Sequence, residues 1–322
     1  VVEMNTEKIS FGVDLSVDDY GDCGKFASVA EDLGFDRVCT GEHVMDGNPP
    51  RPTIMTIPAM AAAAGATQRI RVMTGIVIAP LYHPVMLAKL VASLDIVSNG
   101  RLDFGIGISG QRGTKVEFDA LDIPVSSRGR RTDEMLELMK RLWTEDHVTH
   151  SGRYFNVEDV TLLPKPHQTP SPPIWVAGRS EAAMRRAIVH GNGWYPYLFT
   201  VRRLKATNEQ IVSIANEMGK DLSGFHWGLN QPTAISLDSK AALDSAIRNV
   251  GQRYVTAERS AEDIAKALCV TGTPEECIRS IEERVETGVK EINFGFLSDT
   301  PDEMYRQMEL FSEEVMPHFK HN

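Results

Sequence analysis

Three stretches of this 322-residue chain carry side chains whose type and placing suit chemistry. His43, in the run Gly41-Glu42-His43-Val44, can serve as general acid or base near neutral pH, or hydrogen-bond a cofactor. Its plainer reading is a loop cap or a partner for Glu42. Asp14 closes an apolar run and could orient a substrate or a proton; an Asp there also suits a helix N-cap or a salt bridge. Ala177-Gly178-Arg179-Ser180-Glu181 follows a second apolar run and opens a helical pattern. That layout leaves backbone N–H groups and a helix dipole facing outward, which favours a phosphate. Arg179 adds a charge-assisted fork and Ser180 a hydroxyl. Ser180 is equally a plain N-cap with Glu181 in the first turn, and one serine can fill both roles.

Two glycine-bearing runs invite a different question. Residues 74–84 read TGIVIAPLYHP, an apolar strand pattern with Gly75 near its start and two prolines at its end. A strand that only fills a core needs no such punctuation, whereas one that holds up a flat ligand does. On this reading Thr74 and Gly75 sit at the ligand and Ile76 buttresses it. Residues 101–107 (RLDFGIG) hold Gly105 and Gly107, which would let a ring approach the backbone or simply permit close packing. The Gly-x-Gly here lacks the third glycine of a dinucleotide fingerprint. No Ser-His-Asp order, Walker loop or His-Glu-x-x-His is present, and the nine histidines are scattered, so no metal is expected.

The elements that must position these residues alternate along the chain. Strand patterns at 8–14, 35–40, 70–79, 101–107, 172–178, 193–198, 225–236 and 288–296 are each followed by helical spacing. The helical stretch at 84–100 stops on Asn99-Gly100, and Thr273 with Glu276 forms a capping-box pattern. Residues 147–172 break the rhythm with a turn at Ser151-Gly152 and several prolines, so they read as an insertion between the fourth helix and the fifth strand, in hairpin form. Eight strand–helix units predict an α/β fold, a (β/α)8 barrel in one domain over residues 1–322. The active site of such a barrel lies at the C-terminal ends of its strands. Those ends include Asp14, His43, Thr74-Gly75, Gly107, Gly178-Arg179-Ser180 and Trp194.

Composition narrows the partners. The charge is −10, from 34 basic and 44 acidic residues, which speaks against nucleic acid and anionic membranes. Hydrophobic residues make up 42% and charged ones 24%, as in a soluble globular protein, and the partner expected is a small molecule or another protein. Cys23, Cys39, Cys269 and Cys277 make neither a CxxC pair nor zinc-finger spacing. The start, VVEMNTEKIS, shows no basic region leading into an apolar stretch, and a reducing cytoplasm is the expectation.

The runs GEHV, TGIVIAPLYHPVMLAKLVASLDIVSNGRLDFGIGIS, RGRRTDEMLELMKRLW, PKPHQTPSPPIWVAGRSEAAMRRA and GNGW together resemble the luciferase-like monooxygenase superfamily, strongly over residues 8–200 and more loosely beyond. The resemblance implies a (β/α)8 barrel that binds a flavin or deazaflavin. It implies a non-prolyl cis peptide at Gly75–Ile76 under the ring and His43 near the ring's reacting face. It also implies a phosphate-holding turn at Gly178, Arg179 and Ser180, with Trp194 in a Gly-x-Gly-Trp segment, and an insertion that covers the site. Relatives place an arginine soon after the fourth-strand Gly-Ile pair; here the sequence is GIGIS and Arg112 lies further on. The leading expectation is a two-component monooxygenase using O2 and reduced FMN from a separate flavin reductase, since no NAD-binding segment is visible. A hydride-transfer enzyme using the deazaflavin coenzyme F-420 is the alternative, and a non-catalytic flavin-binding protein the third. A homodimer through helices in the front half of the barrel is implied as well.

Overall fold

In the computed structural model, residues 9–15, 20–45, 52–110 and 114–320 are described. The chain alternates β1 (Ser10–Asp14), α1 (Cys23–Asp32), β2 (Arg37–Thr40), α2 (Thr56–Ala66), β3 (Arg71–Ile78), α3 (Pro84–Val97) and β4 (Leu102–Gly107). A short α4 (Thr114–Ala120) and the long α5 (Arg128–Thr144) follow, then a hairpin of β5 (Val148–Ser151) and β6 (Asn156–Val160). The second half runs through β7 (Ile174–Val176), α6 (Glu181–His190), β8 (Gly193–Trp194), α7 (Val201–Glu217) and β9 (His226–Ile235). It continues with α8 (Ser239–Ala246), α9 (Ala261–Leu268), β10 (Val270–Gly272), α10 (Pro274–Val285), β11 (Glu291–Phe296), α11 (Pro301–Glu314) and α12 (Met316–Lys320).

Strands β1, β2, β3, β4, β7, β8, β9 and β11 pair in parallel and close through β8–β9 and β9–β11. This is the expected (β/α)8 barrel. The strands are apolar almost throughout, as parallel strands buried on both faces must be. The surrounding helices bury one stripe each: α5 turns Met135, Leu136, Leu138, Met139, Leu142 and Trp143 inward and its charges outward. Left-handed Asn99 and Gly100 end α3, and Thr273 with Glu276 forms the expected capping box on α10. His83 caps α3 by accepting the Val85 N–H on Nδ1, which makes it a structural residue. No described helix is long and apolar enough to cross a membrane.

Four local expectations need correction. The sixth strand is only Gly193–Trp194, because Pro196 has no N–H for a ladder. The sequence pattern does not register α4, whose seven residues are too short to show a period, nor β10, which pairs with the C-terminal half of β9 outside the ring. The insertion does not cover the strand ends. Its hairpin lies along the outer wall, where Glu134 of α5 accepts the N–H groups of Arg153, Tyr154 and Phe155 and Phe155 packs edge-on to His83. Its return leg ends at the opposite mouth, where Gln168 donates to Asp95 and to the Leu102 carbonyl. An insertion between a helix and the next strand starts from that lower mouth, so the connectivity dictates the placing.

The lower mouth holds a dense cluster of charged side chains. Asp103 accepts from Arg37 Nε at 2.8 Å and from Arg71 Nε and Nη2 at 2.9 and 2.7 Å. Arg37 also reaches Glu291 at 2.5 Å, and Glu291 meets His226 Nδ1 at 2.6 Å. The Arg37 guanidinium lies 5.0 Å from the Trp175 ring. A cavity of about 730 Å³ opens over these groups, at the end remote from the candidate site. Burial alone would raise the Asp103 carboxyl, but the two arginines outweigh it and hold it at about 2. A depressed carboxylate contributes stability above its unfolded value and loses it as pH falls through the folded one. Asp103→Asn is therefore expected to cost about 3–5 kcal/mol near neutral pH, since it takes the shared anion from two arginines and leaves Arg37 with Glu291 alone. Urea unfolding should show this deficit shrinking as pH falls from about 4 towards about 2.

Candidate active site

Along β3 the core pattern is interrupted at one place. Gly75 and Ile76 are partly exposed while the residues on both sides are buried. The β3–β4 register slips between Thr74 and Val77, a bulge that turns this step out of the ladder. The Gly75–Ile76 peptide is cis, as the resemblance implies. Gly41, at the end of β2, lies against the Gly75 carbonyl. Gly107 is buried: a Cβ there would stand 2.7 Å from Ile76 Cδ1, so its bareness makes room for the Ile76 side chain. Gly105 serves packing, since a Cβ would lie 2.0 Å from the Thr74 carbonyl oxygen. Thr74, expected at the ligand, is fully buried and donates its hydroxyl to the Gly105 carbonyl at 2.8 Å while accepting the Gly105 N–H. It holds the bulge and offers its hydroxyl to nothing else.

Beneath this step lies a small polar cluster. Tyr195 OH accepts from Asn293 Nδ2 at 2.8 Å and sits 3.6 Å from Cys39 Sγ, and all three side chains are buried. Burial raises both the Cys39 thiol and the Tyr195 phenol well above their usual values, so both stay neutral. Asn293 Oδ1 has no protein partner among the described residues. Nearby, Asp14 ends β1, partly exposed, and accepts from Asn230 Nδ2 of β9 at 2.9 Å. Desolvation pushes the Asp14 carboxyl up to about 6, against the opposing pull of the Asn230 hydrogen bond. A carboxyl that titrates there can take or give a proton near neutral pH.

His43 follows β2, and its partner is not Glu42. Its Nδ1 lies 2.9 Å from Oε1 of Glu117, a buried carboxylate on α4. Glu117 Oε2 accepts the Val44 N–H at 2.7 Å, clasping the loops after β2 and β4 together. Glu42 instead accepts from Tyr82 OH and from the N–H groups of Thr56 and Ile78, tying its loop to α2 and to the end of β3. Burial raises the Glu42 carboxyl, opposed by these donors. The sequence offered no signal for Glu117: the contact spans 74 positions and leads to a short helix with no period of its own.

The third stretch lies at the same barrel end. Ser180 caps α6 by accepting the Ala183 N–H at 3.3 Å. Arg179 is exposed, donates to the Tyr197 carbonyl at 2.9 Å, and has no carboxylate partner among the described residues. Gly178 lies tight against Ala183, where a Cβ would come within 2.4 Å of that methyl. Trp194 is wholly buried behind Gly178, so its indole contributes to the wall and gives no exposed surface. Arg112 falls outside the described residues.

A closed parallel barrel with a bare step at the end of β3, and with His43, Asp14 and the N-terminus of α6 at the same barrel end, has the layout of an enzyme whose site lies at the C-terminal ends of its strands. The luciferase-like monooxygenase family model matches residues 6–291, and the chain belongs to that family. The oxygenase component of a flavin-dependent trigonelline monooxygenase from Acinetobacter baylyi is 35% identical over 174 residues, 53% of this chain and 47% of that protein. That match therefore spans about half of the relative's length. A coenzyme F-420-dependent glucose-6-phosphate dehydrogenase from Microbacterium testaceum is 23% identical over 98% of both chains. Among solved structures, a monooxygenase from Streptomyces bottropensis superposes with TM-score 0.78 at 27% identity, covering 97% of this chain and all of its own. The protein is thus an enzyme of the luciferase-like monooxygenase family, and the relatives named are flavin- or coenzyme F-420-dependent oxidoreductases.

The Asp14 environment yields a direct prediction. In a carboxyl carbon NMR titration of the cofactor-free protein, Asp14 should show a midpoint close to pH 6, about two units above an ordinary aspartate. A midpoint in the ordinary aspartate range would remove Asp14 from the list of proton-handling groups.

Proposed function

We propose that this chain is the oxygenating component of a two-component monooxygenase, taking reduced FMN from a separate reductase and acting with O2 on a small organic substrate. The observation that carries the reading is the part-exposed Gly75–Ile76 step, against which Gly41 lies, with His43 and Asp14 following β2 and ending β1 at the same barrel end. These residues fit a flat ring: the step bears no charged side chain, and the cradle around it exists because Cβ atoms are missing. When bound, reduced flavin supplies the electrons for O2 chemistry. The chain's own residues do the rest. Ile76 and Gly75 support the ring plane, and the buried Tyr195–Asn293–Cys39 cluster closes the floor against water. Arg179 and the N-terminus of α6 offset a phosphate charge. His43 holds or moves a proton at Nε2, and Asp14 offers a second proton site.

The relatives support an oxygenase first, because the flavin-dependent oxygenase component gives the higher identity. The coverage of both full chains by the F-420-dependent dehydrogenase supports the second reading, hydride transfer with coenzyme F-420. The proposal extends to a homodimer. The outward positions of α2 are Pro58, Ala62, Gly65 and Ala66, and those of α3 include Met86, Ile96 and Val97, a face with little charge.

Equilibrium binding of FMN, reduced FMN and coenzyme F-420 to the cofactor-free protein separates the readings. Tight F-420 binding with no affinity for either FMN form would sink the oxygenase. Arg179→Ala should weaken FMN about tenfold, the worth of one charge-assisted hydrogen bond, and leave riboflavin affinity unchanged. Light scattering should give twice the chain mass for the wild type and the single-chain mass for Ala62→Glu/Val97→Glu. A wild-type monomer at micromolar concentration rules out the dimer.

A further inference from the structure

We propose that Glu117 is a positioning residue that fixes the tautomer of His43 and so assigns acid–base work to its Nε2. The argument follows from which groups can donate. The Val44 backbone N–H only donates, and it points at Glu117 Oε2 at 2.7 Å; the Met45 N–H shares that oxygen at 3.4 Å. An ionised carboxylate only accepts. The hydrogen between Glu117 Oε1 and His43 Nδ1, 2.9 Å apart, therefore belongs to the imidazole. Nδ1 is committed, and Nε2 carries the lone pair. Among the described residues Nε2 meets no protein partner, while the side chain keeps 18% of its surface exposed.

The clasp also sets the ring's place. Glu117 is nearly without exposed surface and is anchored by backbone donors, so its Oε1 is a fixed acceptor. The His43 carbonyl is tied from the other side by the Thr53 hydroxyl at 2.8 Å. When Nε2 takes up a proton the ring becomes positive, and the Glu117 charge offsets it in a site with little water. Among the described residues, the other charged groups near the ring do not compete. Glu42 is saturated by Tyr82, Thr56 and Ile78, and Lys115 and Asp119 of α4 pair with each other in solvent. The proposal rests on the reading of His43 as the proton-handling group of the site, but its first test does not need a bound cofactor.

That test is the tautomer itself. In ¹⁵N-histidine-labelled, cofactor-free protein, long-range proton–nitrogen correlation should show neutral His43 with hydrogen on Nδ1, assigned by the signals lost in His43→Asn. Glu117→Gln keeps the shape and an oxygen for the Val44 N–H, but turns its amide N–H towards Nδ1. Its His43 should switch to hydrogen on Nε2. A bare Nδ1 in the wild type, or an unchanged tautomer in the variant, overturns the proposal, and the wild-type spectrum decides even if the variant folds poorly. With substrate, reductase and FMN, Glu117→Gln should lose at least about tenfold in kcat while FMN affinity holds. Unchanged kcat would overturn the positioning role. Absence of FMN binding by the wild type would sink the oxygenase reading and leave the tautomer result standing.

Discussion

The barrel is pinned at its lower mouth by one carboxylate between two guanidinium groups. Asp103 on β4 meets Arg37 on β2 and Arg71 on β3, and Arg37 carries the link across to Glu291 on β11. Ion pairs this deep are poor sources of net stability, because the charges must first give up water. Their strength is in discrimination. A one-residue slip of any of these strands would leave a buried charge alone, which no parallel barrel of apolar strands tolerates cheaply. The floor therefore sets the register of the strands it joins. With register fixed below, the residue at which each strand ends above is fixed too.

The candidate site is the consequence at the other mouth. Because β2, β3 and β4 are held in step, Gly41, Gly75–Ile76 and Gly107 arrive side by side, and Thr74 stitches the bulge that tips Ile76 outward. The surface is made as much by missing Cβ atoms as by side chains. Around it the titratable groups have separate settings. Asp14 is pushed towards neutral pH by desolvation, Cys39 and Tyr195 are held neutral by burial, and Glu42 is spent on loop closure. That leaves His43, part-exposed and clasped at Nδ1 by Glu117. Division of labour among buried polar groups is how one barrel end can handle protons without filling with water.

Much of this was legible beforehand, for identifiable reasons. Period-two and period-3.6 patterns are local, and eight alternations admit few topologies other than the closed barrel, so the strands and main helices are where the patterns put them. Gly75–Ile76, Gly178–Ser180 and His43 fall at strand ends because strand ends follow from strand positions. What was illegible is of two kinds. Short elements such as α4 and β10 have too few residues to show a period. Side-chain partners remote in sequence have no local signature: the His43–Glu117, Asp14–Asn230 and Cys39–Tyr195 pairs are separated by 74, 216 and 156 positions.

The sequence by itself determined the barrel and the family, since each is written in local spacing or contiguous motifs. Tertiary structure alone decided what each residue is free to do. Thr74 and Trp194 are buried in the wall, Gly105 and Gly107 give clearance to their neighbours, and the insertion is braced against α5. Glu117 emerged as the partner of His43. The physical reason is common to all of them. A side chain's chemistry depends on which donors, acceptors and voids closure of the barrel brings against it, and those come from strands and loops that are neighbours only in space.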